Sequence, residues 1–292
     1  MLPKGNFPEK VYLNGKIVSV EDARISVFDR GFLFGDGIYE VMVQLENGIF
    51  HKKAHLDRLQ ENLIKIGIPY NVKEIDDQLE TLLESSNLSN ESCLIYMQVT
   101  RGVAPRKHSY PKGVPATVMM YALPYTLPPI NPKHMKAILE PDFRWHRCDI
   151  KSISLLGNIM TNESAMEANT NEAALIRNGV ITEGSHTNIF FVKNGTILTH
   201  PANEHILNGI SRQIVFQLCK DLEIPVIEKP VAENEVIDMD EAFFTGTTTQ
   251  VASIAQLGEH TFYGNDDVGK ITRKLQEAFA ELRMMDSTQS TL

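Results

Sequence analysis

Two Asn-Gly dipeptides, Asn14-Gly15 in KVYLNGKIVSV and Asn194-Gly195 in NIFFVKNGTILTH, each stand between two β-forming runs. Such a pair accepts the positive φ angles that a two-residue hairpin loop demands, so each stretch is expected to fold back as antiparallel strands. Further short β-type runs are CLIYMQVTRG, ATVMMYAL, KAILE, AALIRN, IPVIEKPV and EAFFTG. Helical spacing joins Leu56, Leu59, Leu63 and Ile66, with Gly67 at the capping position, and also Ile75, Leu79, Leu82 and Leu83. Three more helical patterns fall at roughly 157–170, 210–222 (Ile210, Ile214, Val215, Leu218) and 266–283. Strands outnumber helices and do not alternate with them strictly. The expected class is therefore α/β of the α+β type, not a doubly wound parallel sheet.

The stretch PYTLPPINP packs four prolines into a few residues and reads as a semi-rigid linker. It divides the chain into a small N-terminal α/β domain (1–123), a linker (124–133) and a larger C-terminal domain (134–292). The 292 residues, 42% of them hydrophobic, suffice to bury a full core without staples. A net charge of −9 disfavours nucleic acid and anionic membranes, which leaves small molecules or proteins as partners. The opening MLPKGNFPEK has no apolar signal region and no segment approaches the roughly 18 apolar residues of a membrane span. Cys93, Cys148 and Cys219 are odd in number and lack metal-ligand spacing, which fits a reducing compartment and a packing role. A soluble, cytoplasmic protein is expected, with no metal site. There is no internal repeat, and the tail MDSTQSTL is expected to fray.

Several segments carry chemistry, and each also has an ordinary structural reading. Lys151, in CDIKSISLLGN, is either a strand-end lysine reaching water or a buried nucleophile or base. Glu183, before glycine and small polar residues in VITEGSHTNIFF, is either a turn acid or a site carboxylate. Gly209, Ile210 and Ser211 begin a helix, where unpaired N–H groups favour an anion. Thr247, Thr248 and Thr249 offer hydroxyls directly after a strand, and Arg58 offers a bidentate donor on a helix. Arg106 and His108, in APRKHSYP, lie two apart in a proline-bounded loop. One set of demands would use these pieces together: a pyridoxal phosphate site needs a Schiff-base lysine, an acid near the pyridine nitrogen, and phosphate donors.

The segments DRGFLFGDGIYEVM, AHLDRL, VTRGVAPRKH, RCDIKSISLLGN, ITEGSHTNIF, THPANEHILNGISR and MDEAFFTGTTT run in order from about residue 10 to about 283. Together they resemble the fold-type IV pyridoxal phosphate aminotransferases, and within them the D-amino-acid aminotransferases of bacteria. The resemblance implies a small α/β domain, a larger domain with a β-barrel-like core, pyridoxal 5′-phosphate as cofactor, and a homodimer. It places Lys151 on the Schiff-base lysine and Glu183 on the acid facing the ring nitrogen. Arg58, Ile210, Ser211, Thr247 and Thr248 fall on the phosphate cradle, and Leu207 on a residue packing against the ring. Tyr39, Arg106 and His108 fall on the group that holds the substrate carboxylate, the Arg/His loop coming from the partner subunit. His186 and Gly246 depart from the pattern, each standing where the D-specific enzymes carry serine; His186 bears on side-chain preference and rate.

The resemblance implies ping-pong transamination between D-alanine and 2-oxoglutarate, giving pyruvate and D-glutamate. The alternatives are a branched-chain L-aminotransferase, an aminodeoxychorismate lyase of the same superfamily, or more remotely a phosphate-ligand carrier without turnover. Lys151→Ala is expected to leave a folded protein that lacks the visible Schiff-base absorbance and nearly all transamination. Turnover within about tenfold of wild type in a 2-oxo acid assay would refute the Lys151 assignment.

Overall fold

The computed structural model describes residues 4–130, 134–263 and 268–285. The end of the proline-rich stretch (131–133), the start of the expected last helix (266–267) and the tail beyond Met285 lie outside the described residues. The chain forms two compact units. One takes in the residues up to Thr126 together with Ile150–Ser154, the other Leu127–Asp149 with Leu155–Met285. Sequence reading places Ile150–Ser154 in the C-terminal domain, but its backbone pairs in the first unit. There Tyr39 N–H donates to the Lys151 carbonyl at 3.1 Å and Ile153 N–H to the Gly37 carbonyl at 3.1 Å.

The first unit runs β1 (Lys10–Leu13), β2 (Lys16–Ser19), α1 (Arg30–Phe34), β3 (Gly37–Leu45), β4 (Gly48–Ile49), α2 (Lys52–Lys65), α3 (Lys73–Ser85), β5 (Cys93–Thr100) and β6 (Thr117–Pro124). Its sheet is antiparallel throughout, in the order β2-β1-β6-β5-β3-β4. The first hairpin turns on Asn14 and Gly15, at φ 49° and 88°. Leu56, Leu59 and Leu63 of α2 and Ile75, Leu79 and Leu82 of α3 share one core with Ile38, Met42, Ile95, Met97 and Met120 of the sheet. The period-2 spacing of the strand residues and the 3.6-residue spacing of the helix residues thus meet in one layer. Strand β3 was not legible as a strand, because its core-facing row reads Ile38, Glu40, Met42, Gln44, and two polar side chains break the apolar alternation. Gln44 is satisfied there by the Leu88 carbonyl, to which its Nε2 donates at 2.6 Å.

The second unit runs β7 (Met135–Pro141), α4 (Leu156–Glu167), β8 (Glu172–Arg177), β9 (Val180–Gly184), β10 (Asn188–Lys193), β11 (Thr196–Thr199), α5 (Ile210–Asp221), β12 (Val226–Glu228), β13 (Glu241–Gly246), β14 (Gln250–Leu257), β15 (His260–Thr261) and α6 (Lys270–Met284). The sheet order is β12-β11-β10-β13-β14-β7-β8-β9, with β15 on β14, and it forms a half-barrel. Strand β7 runs parallel to both β8 and β14, whereas β10, β11, β13 and β14 are joined antiparallel. The second hairpin turns on Asn194 and Gly195 at φ 51° and 76°. Strands β10 and β13 are buried on both faces, which is why NIFFV and EAFFT read as continuous apolar runs. Phe190 and Phe243 stack there at 4.9 Å between centroids, and Phe191 and Phe244 face the opposite core with Ile189, Ile254 and Leu257. Among the described residues, no helix is long and apolar enough to cross a membrane.

Four helices end alike. After α2, Gly67 at φ 66° lets Ile68 N–H reach the Leu63 carbonyl at 2.9 Å and Gly67 N–H the Ile64 carbonyl at 3.0 Å, two otherwise orphaned acceptors. Asn87 and Asn169 occupy the equivalent left-handed position after α3 and α4, and Glu223 does so after α5 at φ 54°. Glutamate gains nothing at that φ, since its Cβ crowds the following carbonyl. Glu223→Gly is expected to stabilise the protein by about 0.5 kcal/mol, the steric relief exceeding the added entropy of the unfolded chain. The check is a higher urea midpoint at unchanged slope.

Candidate active site

In the first unit the candidate lysine sits on the free edge of β3. Lys151 N–H donates to Asn62 Oδ1 at 2.9 Å, and its Nζ lies 4.1 Å from the centroid of the Tyr39 ring. That geometry is a cation–π contact, which holds Nζ over the ring. Tyr39 in turn lies 5.8 Å from Tyr96, which stacks on Tyr121 at 5.1 Å, so the three phenols form a row on one face of β3, β5 and β6. On the other face stands a group that sequence reading missed. Glu40 is fully buried and takes Arg58 Nε at 2.6 Å, Arg58 Nη2 at 3.0 Å and His55 Nδ1 at 2.8 Å. Burial pushes the Glu40 carboxyl up, but Arg58 and His55 together pull it further down, well below the usual carboxylate range. Burial likewise depresses His55, against the pull of Glu40. Arg58 is thus held in a fixed plane by a partner of its own unit. The available signal was parity, since Glu40 shares its strand face with Ile38 and Met42.

Arg106 and His108 lie on the loop between β5 and β6, both exposed. The structure brings them together on one side chain, Phe34, with the Arg106 guanidinium 5.2 Å and the His108 ring 5.8 Å from its centroid.

In the second unit Glu183, on β9, is buried among donors. Arg144 Nη1 donates to its Oε1 at 2.6 Å, and Asn188 Nδ2 and Leu207 N–H donate to its Oε2 at 2.9 and 3.0 Å. Arg144 is shared, its Nε and Nη2 donating to Asp142 at 2.9 and 3.0 Å. Asp142 also takes Arg177 and Thr182. Burial pushes the Glu183 carboxyl up to about 7, against the pull of Arg144 and the Leu207 N–H. A carboxyl so poised becomes a full anion when a further positive charge is brought beside it. Arg144 was not among the expected site residues, because nothing in RWHRCD sets it apart from Arg147 three residues on. Arg147 instead pairs with Asp149 at the surface.

Gly209 opens α5 with no side-chain cap, so the first-turn N–H groups of Ile210 and Ser211 are offered to an anion. A Cβ at Gly209 would come within 2.3 Å of Asn188 Oδ1, the amide that also binds Glu183. Helix α5 packs on β13, whose end leads into the Thr247–Thr249 turn. An uncapped helix start and a row of hydroxyls are a donor set that suits a phosphate. Leu207 precedes this start and binds through its backbone both Glu183 and Asn188. A second organising acid, Glu172, is fully buried and accepts Ser185 N–H at 3.0 Å, Ser185 Oγ at 2.5 Å and Thr187 Oγ1 at 2.9 Å. It also draws in the half-exposed His186, whose Nδ1 lies 2.9 Å from Ser185 Oγ and 3.2 Å from Glu172 Oε2.

The class IV amino-transferase family model matches residues 37–257 of the chain. The D-alanine aminotransferase of Staphylococcus epidermidis is 38% identical over 275 residues, 92% of this chain and 96% of that protein. The solved branched-chain aminotransferase of Thermoproteus uzoniensis, with norvaline, has a TM-score of 0.82 at 26% identity and covers 94% of each chain. The branched-chain enzyme of Thermobaculum terrenum in its PLP form shares the fold, with a TM-score of 0.83 at 22% identity over 96% of this chain and 95% of that one.

The raised Glu183 carboxyl has a consequence for stability. Its folded value, about 7, lies above the 4.5 of an ordinary glutamate carboxyl, so between these limits the folded cofactor-free protein binds more protons than the unfolded chain. Stability from this group is therefore present at low pH and lost as pH rises from about 4.5 to about 7, by up to about 3 kcal/mol. Glu183→Gln is expected to remove that slope. Urea midpoints of cofactor-free wild type and variant, compared from pH 5 to pH 7.5, check it.

Proposed function

The chain belongs to the class IV aminotransferases, and we propose that it moves the amino group of D-alanine to 2-oxoglutarate, giving pyruvate and D-glutamate. The observation that carries this reading is the 38% identity, across 92% of the chain, to a D-alanine aminotransferase. The presence of Tyr39, Arg106 and His108 supports the D-specific branch.

Pyridoxal 5′-phosphate supplies the carbonyl that condenses with the amine and the ring that accepts the electrons released at Cα. Lys151 would hold it through Nζ, and the same nitrogen, as a free amine, would take the substrate Cα proton and deliver it back. The Tyr39 ring keeps Nζ on one side. Glu183 holds a proton on the pyridine nitrogen, and Arg144, Asn188 and the Leu207 N–H fix the carboxylate that does so. Gly209 opens the helix start whose Ile210 and Ser211 N–H groups, with the Ser211 hydroxyl, would hold the phosphate. Thr247 and Thr248 add hydroxyls, and Arg58 adds a guanidinium set in its plane by Glu40. The Leu207 side chain would pack on the ring. Arg106 and His108 grip the substrate α-carboxylate together with Tyr39. They are supplied by the partner subunit of a homodimer, which works in the cytoplasm.

Gripping the carboxylate on one side decides which enantiomer turns its Cα–H toward Lys151. With 2-oxoglutarate as acceptor and both enantiomers of several amino acids as donors, D-alanine is expected among the good donors and L-amino acids among the poor ones. Arg106→Met should raise KM for D-alanine and 2-oxoglutarate together by about tenfold or more, since a charge-assisted bond contributes about 1.5–3 kcal/mol, with cofactor content unchanged. Faster turnover of L-leucine or L-valine than of D-alanine would put a branched-chain activity in its place.

A further inference from the structure

The loop that carries Arg106 and His108 is exposed from residue 105 to residue 110, yet it is held from beneath by a buried cation. Arg30 is 3% exposed; its Nη1 donates to the Lys107 carbonyl at 2.6 Å and its Nε to Asp36 Oδ2 at 2.7 Å. Lys107 is the residue between Arg106 and His108, so this bond fixes the backbone from which both side chains spring. Asp36 is itself clamped by Arg101, whose Nε and Nη2 donate to it at 2.8 and 2.9 Å and whose Nη1 and Nη2 reach the Gly67 and Ile66 carbonyls. Arg30 is therefore anchored to the end of α2.

The short helix α1 sets Phe34 four residues after Arg30, on the same face. The Arg30 guanidinium carbon lies 4.7 Å from the Phe34 centroid, the Arg106 guanidinium carbon 5.2 Å, and the His108 ring 5.8 Å at an interplanar angle of 49°. Phe34 is no part of the core that α2 and α3 build on the sheet. The Arg30 and Arg106 guanidinium groups lie over its ring and the tilted His108 ring packs beside it instead, and an aromatic ring attracts cations through its quadrupole. An exposed arginine otherwise spreads over many rotamers, and that freedom is lost when it is fixed.

We propose that Arg30 and Phe34 are positioning residues of the substrate-carboxylate grip: Arg30 fixes the loop backbone at Lys107, and the Phe34 ring presets the planes of Arg106 and His108. The inference rests on the proposed role of Arg106 and His108 in binding the α-carboxylate. It concerns the bond that both the amino acid and the 2-oxo acid make, so both substrates feel it equally, while the proton transfers at Lys151 do not.

The test uses holoenzyme carrying Phe34→Leu, which keeps an apolar side chain but removes the π face. KM for D-alanine and for 2-oxoglutarate is expected to rise together by about fivefold, with kcat within about twofold of wild type and cofactor content unchanged. Phe34→Tyr, which keeps the face, should restore both KM values. Phe34→Met replaces Phe34→Leu if the latter does not accumulate as folded enzyme, and Arg30→Met should raise both KM values in the same way. Wild-type KM values in Phe34→Leu, or equal rises in Phe34→Leu and Phe34→Tyr, would overturn the platform while an effect of Arg106→Met leaves the carboxylate reading standing. An Arg106→Met enzyme with unaltered KM would remove that reading, and this inference with it.

Discussion

The backbone pairing of Ile150–Ser154 with the start of β3 is the contact on which the candidate chemistry depends. Tyr39 N–H on the Lys151 carbonyl, Ile153 N–H on the Gly37 carbonyl and Asn62 Oδ1 under Lys151 N–H fix the lysine backbone at three points. A flexible four-carbon stem acts at a defined place only when its root is rigid. That root is an edge of a sheet whose other face is packed with Leu59, Leu63, Ile38 and Met42, so the position of Nζ over Tyr39 inherits the rigidity of the core. Pairing the segment on β3 also covers an edge that would otherwise expose unpaired backbone groups.

Two buried carboxylates, Glu40 and Glu183, are treated in opposite ways. Glu40 has the whole Nε–Nη2 side of Arg58 and the His55 ring, and it is held as a firm anion. Such a site is committed. Glu183 receives one N–H of an arginine whose other donors serve Asp142, and burial pushes it up to about 7. It is left receptive to one more positive charge. A buried ion pair contributes little net stability over an apolar core of the same volume, so the value of both clusters lies in orientation and charge state. Glu172 adds a third solution: a carboxylate satisfied by hydroxyls and N–H groups that shapes the turn from Ser185 to Thr187 and ties back the His186 imidazole. His186, which stands where the resemblance leads one to expect serine, is thereby given a defined orientation through Nδ1.

The sequence by itself determined what local chemistry decides. Asn14-Gly15 and Asn194-Gly195 became hairpin turns because only the two residues of the loop need positive φ. Gly67 ended α2 for a similar reason, and the helix periods of α2, α3 and α5 were carried by residues three and four apart. Lys151, Glu183 and the Gly209–Ser211 helix start each had an ordinary structural reading, and only their joint fit to the demands of one cofactor, with the family resemblance, singled them out. Tertiary structure decided the partners. Arg58 meets Glu40 across 18 positions, Arg144 meets Glu183 across 39, and Asn62 meets Lys151 across 89. No propensity or period spans such separations. It also decided that Glu40 and Gln44 belong to a strand, since a polar side chain on a core-facing row is tolerated only where distant donors or carbonyls satisfy it, and those arrive with the fold.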